Sequence, residues 1–310
     1  MKFAILEANR QGGRQYNQDR LAYAYSRDAL LMVVADGMGG HYHGELAAQI
    51  AVRMLVDTFR DQARPTLAAP LKFLHKGLLD AHYAINNYVL AHRMPEFPRT
   101  TCVACVVQNN RAYWANCGDS RLYYFRAGKL LCRTHDHSLV QQLFERGVID
   151  AAQMAVHPNR HKIYSCLGGD NLPEVALSPE IDMQDNDVLL LCSDGLWGQL
   201  EIDEICAILD NYPIADAIPE LMDHAELRGG RSVDNLSAIG MRWGDESRYF
   251  AERAISAATV PFGASFSSLE KFRSGLEHTA EIEQAVLEIQ AIIANMQKRP
   301  STQLPDKNDF

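Results

Sequence analysis

The chain has 310 residues, of which 47% are hydrophobic and 22% charged, a balance typical of a globular protein with a sizeable core. Its net charge of −9, from 30 basic and 39 acidic residues, argues against nucleic acid or an anionic membrane surface as a partner. The polar opening MKFAILEANRQ, the odd count of seven cysteines and the lack of a membrane-length apolar run predict a cytoplasmic protein with reduced, buried thiols.

Short runs of strand character, separated by turn residues, fill most of residues 1–244. The clearest of these runs are 21–26, 30–36, 101–108, 111–119, 121–128, 129–134, 187–195 and 235–243. Asn109-Asn110 and Ala127-Gly128 stand between neighbouring runs, where such residues favour the tight turns of β-hairpins. Closely spaced strands joined by tight turns predict antiparallel sheets.

Segments with helical spacing of apolar residues interrupt these runs. They predict helices over 44–60, 70–92, 136–146 and 213–225. Pro70 suits the first position of the second helix, where no amide donor is required. Strands that bury one face and helices that bury one stripe favour an α+β fold, in which helices cover two sheets packed face to face.

Residues 245–310 are predicted to form a separate C-terminal segment. It comprises a linker around 261–266, an amphipathic helix over 267–296 and a disordered end. Ser267 and Glu270 have the spacing of a capping box at the start of that helix. Its apolar seam fits two roles equally: a helix that docks on the main domain, or one that self-associates or binds a partner.

Cys102 and Cys105 form a C-x-x-C pattern inside the run 101–108. On a strand, positions three apart face opposite sides of the sheet. The two thiols are therefore not expected to share a zinc ion or a disulfide.

Five aspartates stand at the ends of apolar runs or beside glycines. They are Asp19, Asp36, Asp119, Asp194 and Asp234. A single aspartate in such a place is usually a turn former or a helix cap. Five together are different, because half-buried carboxylates repel one another unless cations neutralise them. Oxygen ligands without histidine or cysteine select hard ions, namely Mg²⁺, Mn²⁺ or Ca²⁺.

Gly37, Gly39 and Gly40 follow Asp36 directly. They are predicted to let the backbone turn sharply, so that a main-chain carbonyl can join the metal ligands. An acidic enzyme that acts on an anionic substrate also needs a local cation to capture it.

Eight short segments, in order, resemble the metal-dependent protein phosphatases of the type 2C class in their bacterial form. These segments are RQYNQD (14–19), VADGMGGHYHGE (34–45), TTCVA (100–104), NCGDSRLY (116–123), HDHSLVQ (135–141), HPNRHKIYSCLG (157–168), LLLCSDGLW (189–197) and VDNLSA (233–238). The resemblance spans about residues 9–243. It implies a four-layer α-β-β-α sandwich of two antiparallel sheets flanked by helices, with residues 245–310 as a C-terminal helical extension.

The resemblance also implies a set of Mn²⁺ or Mg²⁺ ligands. Asp36 would bridge two ions, and the Gly37 carbonyl would bind one of them. Asp194 and Asp234 would bind the other ion. Asp119, together with Asp194, would hold a third, weaker ion.

Asp19 would contact the ions through bound water, and Arg14 would grip the substrate phosphate, since a guanidinium matches two phosphate oxygens. A water activated by the ions would attack phosphorus in line, without a phosphoenzyme. The implied activity is hydrolysis of phosphoserine and phosphothreonine in proteins, reversing a cognate serine/threonine kinase in a bacterial cytoplasm.

Some positions depart from the commonest family pattern. Gln18 replaces a glutamate and is expected to weaken metal binding modestly, and Gly198 and Arg99 stand where acidic and small residues are frequent. Met38 replaces the histidine proposed as general acid in animal members.

His41 and His43 lie near Met38 in the sequence, but a surface or helix-start role is favoured for both. Residues 135–165 are predicted to form a flap beside the active site. His157, Arg160 and His161 in this flap are candidates for substrate recognition, although a structural role is favoured.

Two other functions fit parts of the sequence. A two-metal phosphodiesterase or nuclease would use similar aspartates, but the acidic net charge and the lack of a basic groove disfavour it. A pseudophosphatase would act as an adaptor through the fold and the helix at 267–296. The retained aspartates disfavour that alternative, because an adaptor does not need mutually repelling carboxylates.

Overall fold

The computed structural model describes residues 1–39, 44–246 and 249. Its strands are β1 (Phe3–Arg10), β2 (Arg20–Tyr25), β3 (Ala29–Ala35), β4 (Gly37–Met38), β5 (Arg99–Thr100), β6 (Cys102–Gln108), β7 (Arg111–Cys117), β8 (Arg121–Arg126), β9 (Lys129–Arg133), β10 (Ala176–Leu177), β11 (Ile181–Asp182), β12 (Val188–Cys192) and β13 (Leu236–Trp243). Its helices are α1 (Gly44–Gln62), α2 (Pro70–His92), α3 (Leu139–Glu145), α4 (Ala151–Val156), α5 (Asp194–Trp197), α6 (Ile202–Asn211) and α7 (Ile214–Gly229).

Two sheets contain most of the strands. One has the order β1-β13-β12-β8-β9, and the other has the order β10-β7-β6-β3-β2 with β11 also paired to β7. The pairings within both sheets are antiparallel, as the sequence predicts. Asn109 and Asn110 take positive φ angles of 53° and 58° in the β6–β7 turn, which tight hairpin turns require.

A layer of apolar side chains fills the space between the two sheets. Alternate residues of β3 and β12, such as Met32 and Leu191, point into it. The opposite face of the β3 sheet packs against α1 and α2. The opposite face of the β12 sheet packs against α6 and α7. This gives the predicted α-β-β-α order.

Truncating the central layer tests the importance of this packing. Leu191 is completely buried, whereas Leu227 is 86% exposed. Leu191→Ala is expected to lower the free energy of unfolding by about 2–5 kcal/mol through lost burial and a cavity. Leu227→Ala should change it by less than about 0.5 kcal/mol. Urea unfolding of both variants gives the comparison, and equal effects would be inconsistent with a core between the sheets.

Three of the differences from the sequence-based expectation have a clear physical reason. The predicted strand 187–195 ends at Cys192, and Asp194 begins α5 instead, because the Ser193 amide makes the last ladder bond, to the Ser237 carbonyl. β1 has apolar residues on both faces, so it lacks the alternation of a half-buried strand. α6 starts without a side-chain cap, so its usual start signal is missing.

The predicted linker and the helix at 267–296 lie outside the described residues. The last strand ends at Trp243, and the division between residues 1–244 and 245–310 stays a prediction. No helix in the described part of the chain is long and apolar enough to cross a membrane.

Candidate active site

The five aspartates all lie at strand ends on one edge of the sandwich. Asp19 precedes β2, Asp36 follows β3, Asp119 lies between β7 and β8, Asp194 follows β12, and Asp234 precedes β13. Antiparallel pairing brings these ends together, because Arg20 lies opposite Ala35 and Cys192 lies opposite Ala238. The β7–β8 connection carries Asp119 from one sheet to the other.

A cleft of about 770 Å³ opens at this edge. Its lining includes Arg14, Asp36, Asp119, Asp194 and Asp234. The fifth predicted aspartate, Asp19, is not part of that surface: it lies beneath it and is only 1% exposed. The fold thus brings four carboxylates and one guanidinium to a common solvent-filled space.

Two glycines permit the close backbone approaches that build the cleft. A Cβ on Gly37 would lie 2.3 Å from the Gly44 carbonyl oxygen, and one on Gly195 would lie 2.1 Å from the Asn235 carbonyl oxygen. Both distances are far below van der Waals contact, so any side chain there would push the elements apart. Gly37 lies in β4, so its role is close packing and not the sharp turn predicted from the sequence.

Hydrogen bonds from neighbouring residues fix the aspartates. The Asp36 carbonyl accepts from the Thr101 amide and from the Thr100 hydroxyl, each at 2.9 Å. The Ser193 hydroxyl donates to Asp19 Oδ2 at 2.7 Å. These three polar residues lie in the segments that resemble the family, but the sequence alone assigned them no role.

Burial and mutual repulsion raise the pKa of four carboxyl groups. Loss of hydration on burial is the largest cause in each case. Neighbouring aspartates raise these pKa values further, whereas hydrogen bonds and nearby cations lower some of them. The pKa of Asp19 rises to about 7, and that of Asp119 rises to about 8. Burial likewise raises the pKa of Asp36 well above its usual range and raises that of Asp194.

Two carboxylate oxygens at the site lack a hydrogen-bond donor within the described ranges. They are Oδ1 of Asp19 and Oδ1 of Asp194. A buried, unpaired carboxylate oxygen is costly, and an ion bound by oxygen ligands would satisfy it. The donor chemistry at the site therefore fits Mg²⁺ or Mn²⁺.

Arg14 lies at the mouth of the cleft with its side chain 59% exposed. Its Nη2 atom lies 2.6 Å from Asp234 Oδ2, so this carboxylate is held by an arginine. Within residues 1–39, 44–246 and 249, no three acidic, histidine or cysteine side chains are grouped closely enough to hold one ion.

Comparisons with known proteins match this arrangement. A family model described as protein phosphatase 2C matches residues 8–232. The chain belongs to the protein phosphatase 2C family. The serine/threonine phosphatase Stp of Listeria welshimeri is 32% identical over 229 residues, which cover 73% of this chain and 90% of that protein.

Solved structures of bacterial phosphatases share the fold. The Mycobacterium tuberculosis serine/threonine phosphatase PstP is 30% identical, with a TM-score of 0.69 over 77% of this chain and 98% of that chain. The catalytic domain of PstP in complex with two manganese ions is 27% identical, with a TM-score of 0.65 over 77% of this chain and 97% of that chain. The predicted fold class, family and enzyme class, a protein phosphatase, are confirmed.

Asn235 holds the segment that carries Arg14 in this phosphatase. Its Nδ2 atom donates to the Gln11 carbonyl at 2.8 Å and to the Tyr16 carbonyl at 3.0 Å. Its Oδ1 atom accepts from the Gln18 amide at 2.9 Å. Sequence analysis overlooked this residue, because an asparagine next to a candidate ligand resembles an ordinary turn residue.

Trp197 joins the two aspartates predicted to share the third ion. It lies one helical turn after Asp194 in α5, and its indole Nε1 donates to the Asp119 carbonyl at 2.9 Å. Arg121 stacks on a face of the ring, with its guanidinium carbon 3.4 Å from the ring centroid. The indole thus links α5, which begins at Asp194, to the backbone of Asp119.

The remaining predicted residues are distributed around the cleft. Met38, Gln18 and His161 line it, whereas Arg160 lines a neighbouring cavity. Gly40, His41 and His43 lie outside the described residues. The predicted flap contains α3 and α4, and its base is closed by a bridge between Ser138 and Ile163.

The raised pKa values predict how the metal-free phosphatase responds to pH. In the unfolded chain an aspartate releases its proton near 3.8, whereas Asp19 and Asp119 keep theirs to about 7 and about 8 when folded. The folded state therefore binds more protons between these values, and its stability falls as pH rises through this window. Melting temperatures measured in chelator from pH 5 to 8.5 should fall more steeply for the parent protein than for Asp119→Asn. Equal slopes would contradict the burial of an uncharged Asp119.

Proposed function

We propose that this protein hydrolyses phosphoserine and phosphothreonine in proteins, using two or three Mn²⁺ or Mg²⁺ ions. The observation that carries the proposal is the group of four raised-pKa carboxyl groups, two with unpartnered oxygens, beside a single exposed arginine. These carboxyl groups resist ionisation in the buried site, and bound cations would stabilise their charged form. The manganese complex of a relative supports the choice of ion.

Residues of the cleft would hold the ions as the family resemblance implies. Asp36, the Gly37 carbonyl, Asp194 and Asp234 would hold two ions, and Asp119 with Asp194 would hold a third. When bound, these ions supply Lewis-acid charge that activates water and offsets the charge of the phosphoryl oxygens. Asp19 lies beneath the cleft and would orient bound water from below, with its carboxylate fixed by Ser193.

Arg14 would bind the phosphoryl group. It has an exposed guanidinium at the mouth of the cleft, and it is tethered on one side by Asp234. Its remaining N–H groups can donate to two phosphate oxygens in a planar, bidentate arrangement. Substrate binding would thus place a phosphoryl group between a fixed guanidinium and the aspartate-bound cations.

A cysteine nucleophile is not part of this proposal. Catalytic cysteines need a lowered pKa so that the thiolate forms near neutral pH. Burial raises the pKa of all seven cysteines here; for Cys192, next to the site, it rises to about 12. A cognate kinase is proposed from the family resemblance, and a cytoplasmic location from the sequence features given above together with that resemblance.

Substrate class is tested by comparing two phosphate esters under the same metal conditions. Phosphate release from a phosphothreonine peptide and cleavage of a single-stranded oligonucleotide are measured with Mn²⁺. The proposal predicts turnover of the peptide and none of the oligonucleotide. Preference for the oligonucleotide would favour the phosphodiesterase alternative instead.

A further inference from the structure

A second cavity, the side cavity, adjoins the cleft. It has a volume of about 680 Å³, within the range of small-molecule and peptide side-chain pockets. Arg14, His161, Asp194 and Asp234 line both the side cavity and the cleft. The side cavity therefore adjoins the place where the phosphoryl group of a substrate would lie, within reach of the residues that flank it.

One wall of the side cavity is apolar. It is formed by Leu130 of β9, by Leu200, and by Ile202 and Ile205 of α6. Leu130 and Ile202 remain partly exposed, whereas Ile205 is buried beneath them. Met154 of α4, in the flap, also lines the cavity, and its unbranched side chain can adapt to different occupants. This wall favours an aliphatic side chain as the occupant.

The floor of the side cavity carries an excess of positive charge. Arg121 donates to both carboxylate oxygens of Asp136, at 2.9 and 2.7 Å, which neutralises that pair. Arg133 reaches the same carboxylate only at 3.5 Å. Two guanidinium groups therefore share one carboxylate, and the charge of Arg133 is largely uncompensated.

Arg160 adds a second cation at the rim. Its side chain is exposed, and among the described residues only its backbone amide makes a hydrogen bond, to the His157 carbonyl at 3.0 Å. Glu201 also lines this cavity. Asp194 and Asp234 are shared with the cleft, and Asp136 is paired with Arg121, so Glu201 is the one remaining carboxylate of the side cavity. Arg133 and Arg160 thus outnumber it.

We propose that the side cavity binds the part of the substrate chain next to the phosphorylated residue, and that it selects an aliphatic side chain followed by an acidic one. The aliphatic side chain would pack against Leu130 and Ile202, and the carboxylate would face Arg160 and Arg133. This inference rests on the proposed phosphatase function, since the cleft must hold the phosphoryl group. It deepens that function by naming the class of phosphoprotein sequence.

The test uses phosphothreonine peptides that differ only beside the phosphoresidue. One peptide has alanine flanks, and the others place Leu-Glu or Leu-Lys on either side. For the parent protein, kcat/KM with Leu-Glu on one side is expected to exceed that with alanine by about 10-fold or more, from burial of the leucine. It should exceed that with Leu-Lys by roughly 5-fold, since an exposed ion pair contributes modestly.

Charge reversal at the rim gives the sharpest comparison. Arg160→Glu should invert the preference, so that Leu-Lys becomes the better substrate. Ile202→Ala should reduce the advantage of leucine. Arg146→Glu is the matched control, because Arg146 is an exposed arginine of the same flap that does not line the cavity, and it should leave the preference unchanged.

p-Nitrophenyl phosphate, which has no peptide flank, distinguishes failure of the side-cavity inference from failure of the proposed phosphatase function. Its turnover should be the same in the parent and Arg146→Glu proteins. Turnover of all peptides at one rate, with p-nitrophenyl phosphate also hydrolysed, would overturn the side cavity inference and leave the phosphatase function standing. Absence of turnover with every substrate would overturn both.

Discussion

Replacing Asp36 with asparagine is expected to reduce phosphate release by more than about 10²-fold, the upper range for residues that only support metal ligands. In the proposed site this carboxylate would help to hold the ions, and a neutral amide would offset less of their charge. The backbone of residue 36 stays fixed by Thr100 and Thr101, so the loss should arise from the side chain alone. Calorimetric titration with Mn²⁺ should show weaker binding in parallel with the lost activity.

The stability of the same variant distinguishes lost chemistry from lost structure. Burial and crowding with other carboxyl groups raise the pKa of Asp36, so asparagine removes an unfavourable group. In chelator at pH 8, Asp36→Asn should melt at the same temperature as the parent protein or at a higher one. If it melted well below the parent, its inactivity would say nothing about metal binding.

Replacing Arg14 with alanine is expected to lower kcat/KM for a phosphothreonine peptide by about 10- to 150-fold. This range corresponds to about 1.5–3 kcal/mol for a hydrogen bond to a charged group. Inhibition by inorganic phosphate should weaken in the same proportion, because the product carries the same oxygens. Stability should change little, since the side chain is 59% exposed and exposed ion pairs contribute little.

Arg14→Lys provides the matched control for charge. Lysine keeps the positive charge but cannot donate from a planar fork. Its kcat/KM should therefore lie between those of the parent and Arg14→Ala. A lysine variant with full activity would show that charge alone suffices, and an alanine variant with full activity would remove Arg14 from phosphate binding.

Much of the fold was predictable because local pattern and tertiary environment agree. The helix at Pro70–His92 begins at a proline and buries one stripe, and β3 and β6 are continuous apolar runs. β1 was overlooked because helices cover one of its faces and the other sheet covers the opposite face, which removes the alternation. α6 was overlooked because it is short and lacks a side-chain cap.

The site was predictable where the chemistry is unusual. Five aspartates at strand ends indicate a metal site, because several half-buried carboxylates are rarely grouped without a cation to neutralise them. Thr101, Asn235 and Trp197 were assigned no role, because their contributions are hydrogen bonds to backbone atoms that only the folded chain brings near. Likewise, the pairing of Arg14 with Asp234 joins residues 220 positions apart, beyond the reach of any local pattern.

The aspartate-lined cleft is proposed to work as a metal-dependent phosphatase site. The most direct measurement is phosphate release from a phosphothreonine peptide by protein stripped with chelator and then titrated with Mn²⁺ or Mg²⁺, while ion binding is followed calorimetrically. We expect no release in chelator and a recovery that follows occupancy of the sites. Undiminished release in chelator, or no release once Mn²⁺ is bound, would contradict the claim.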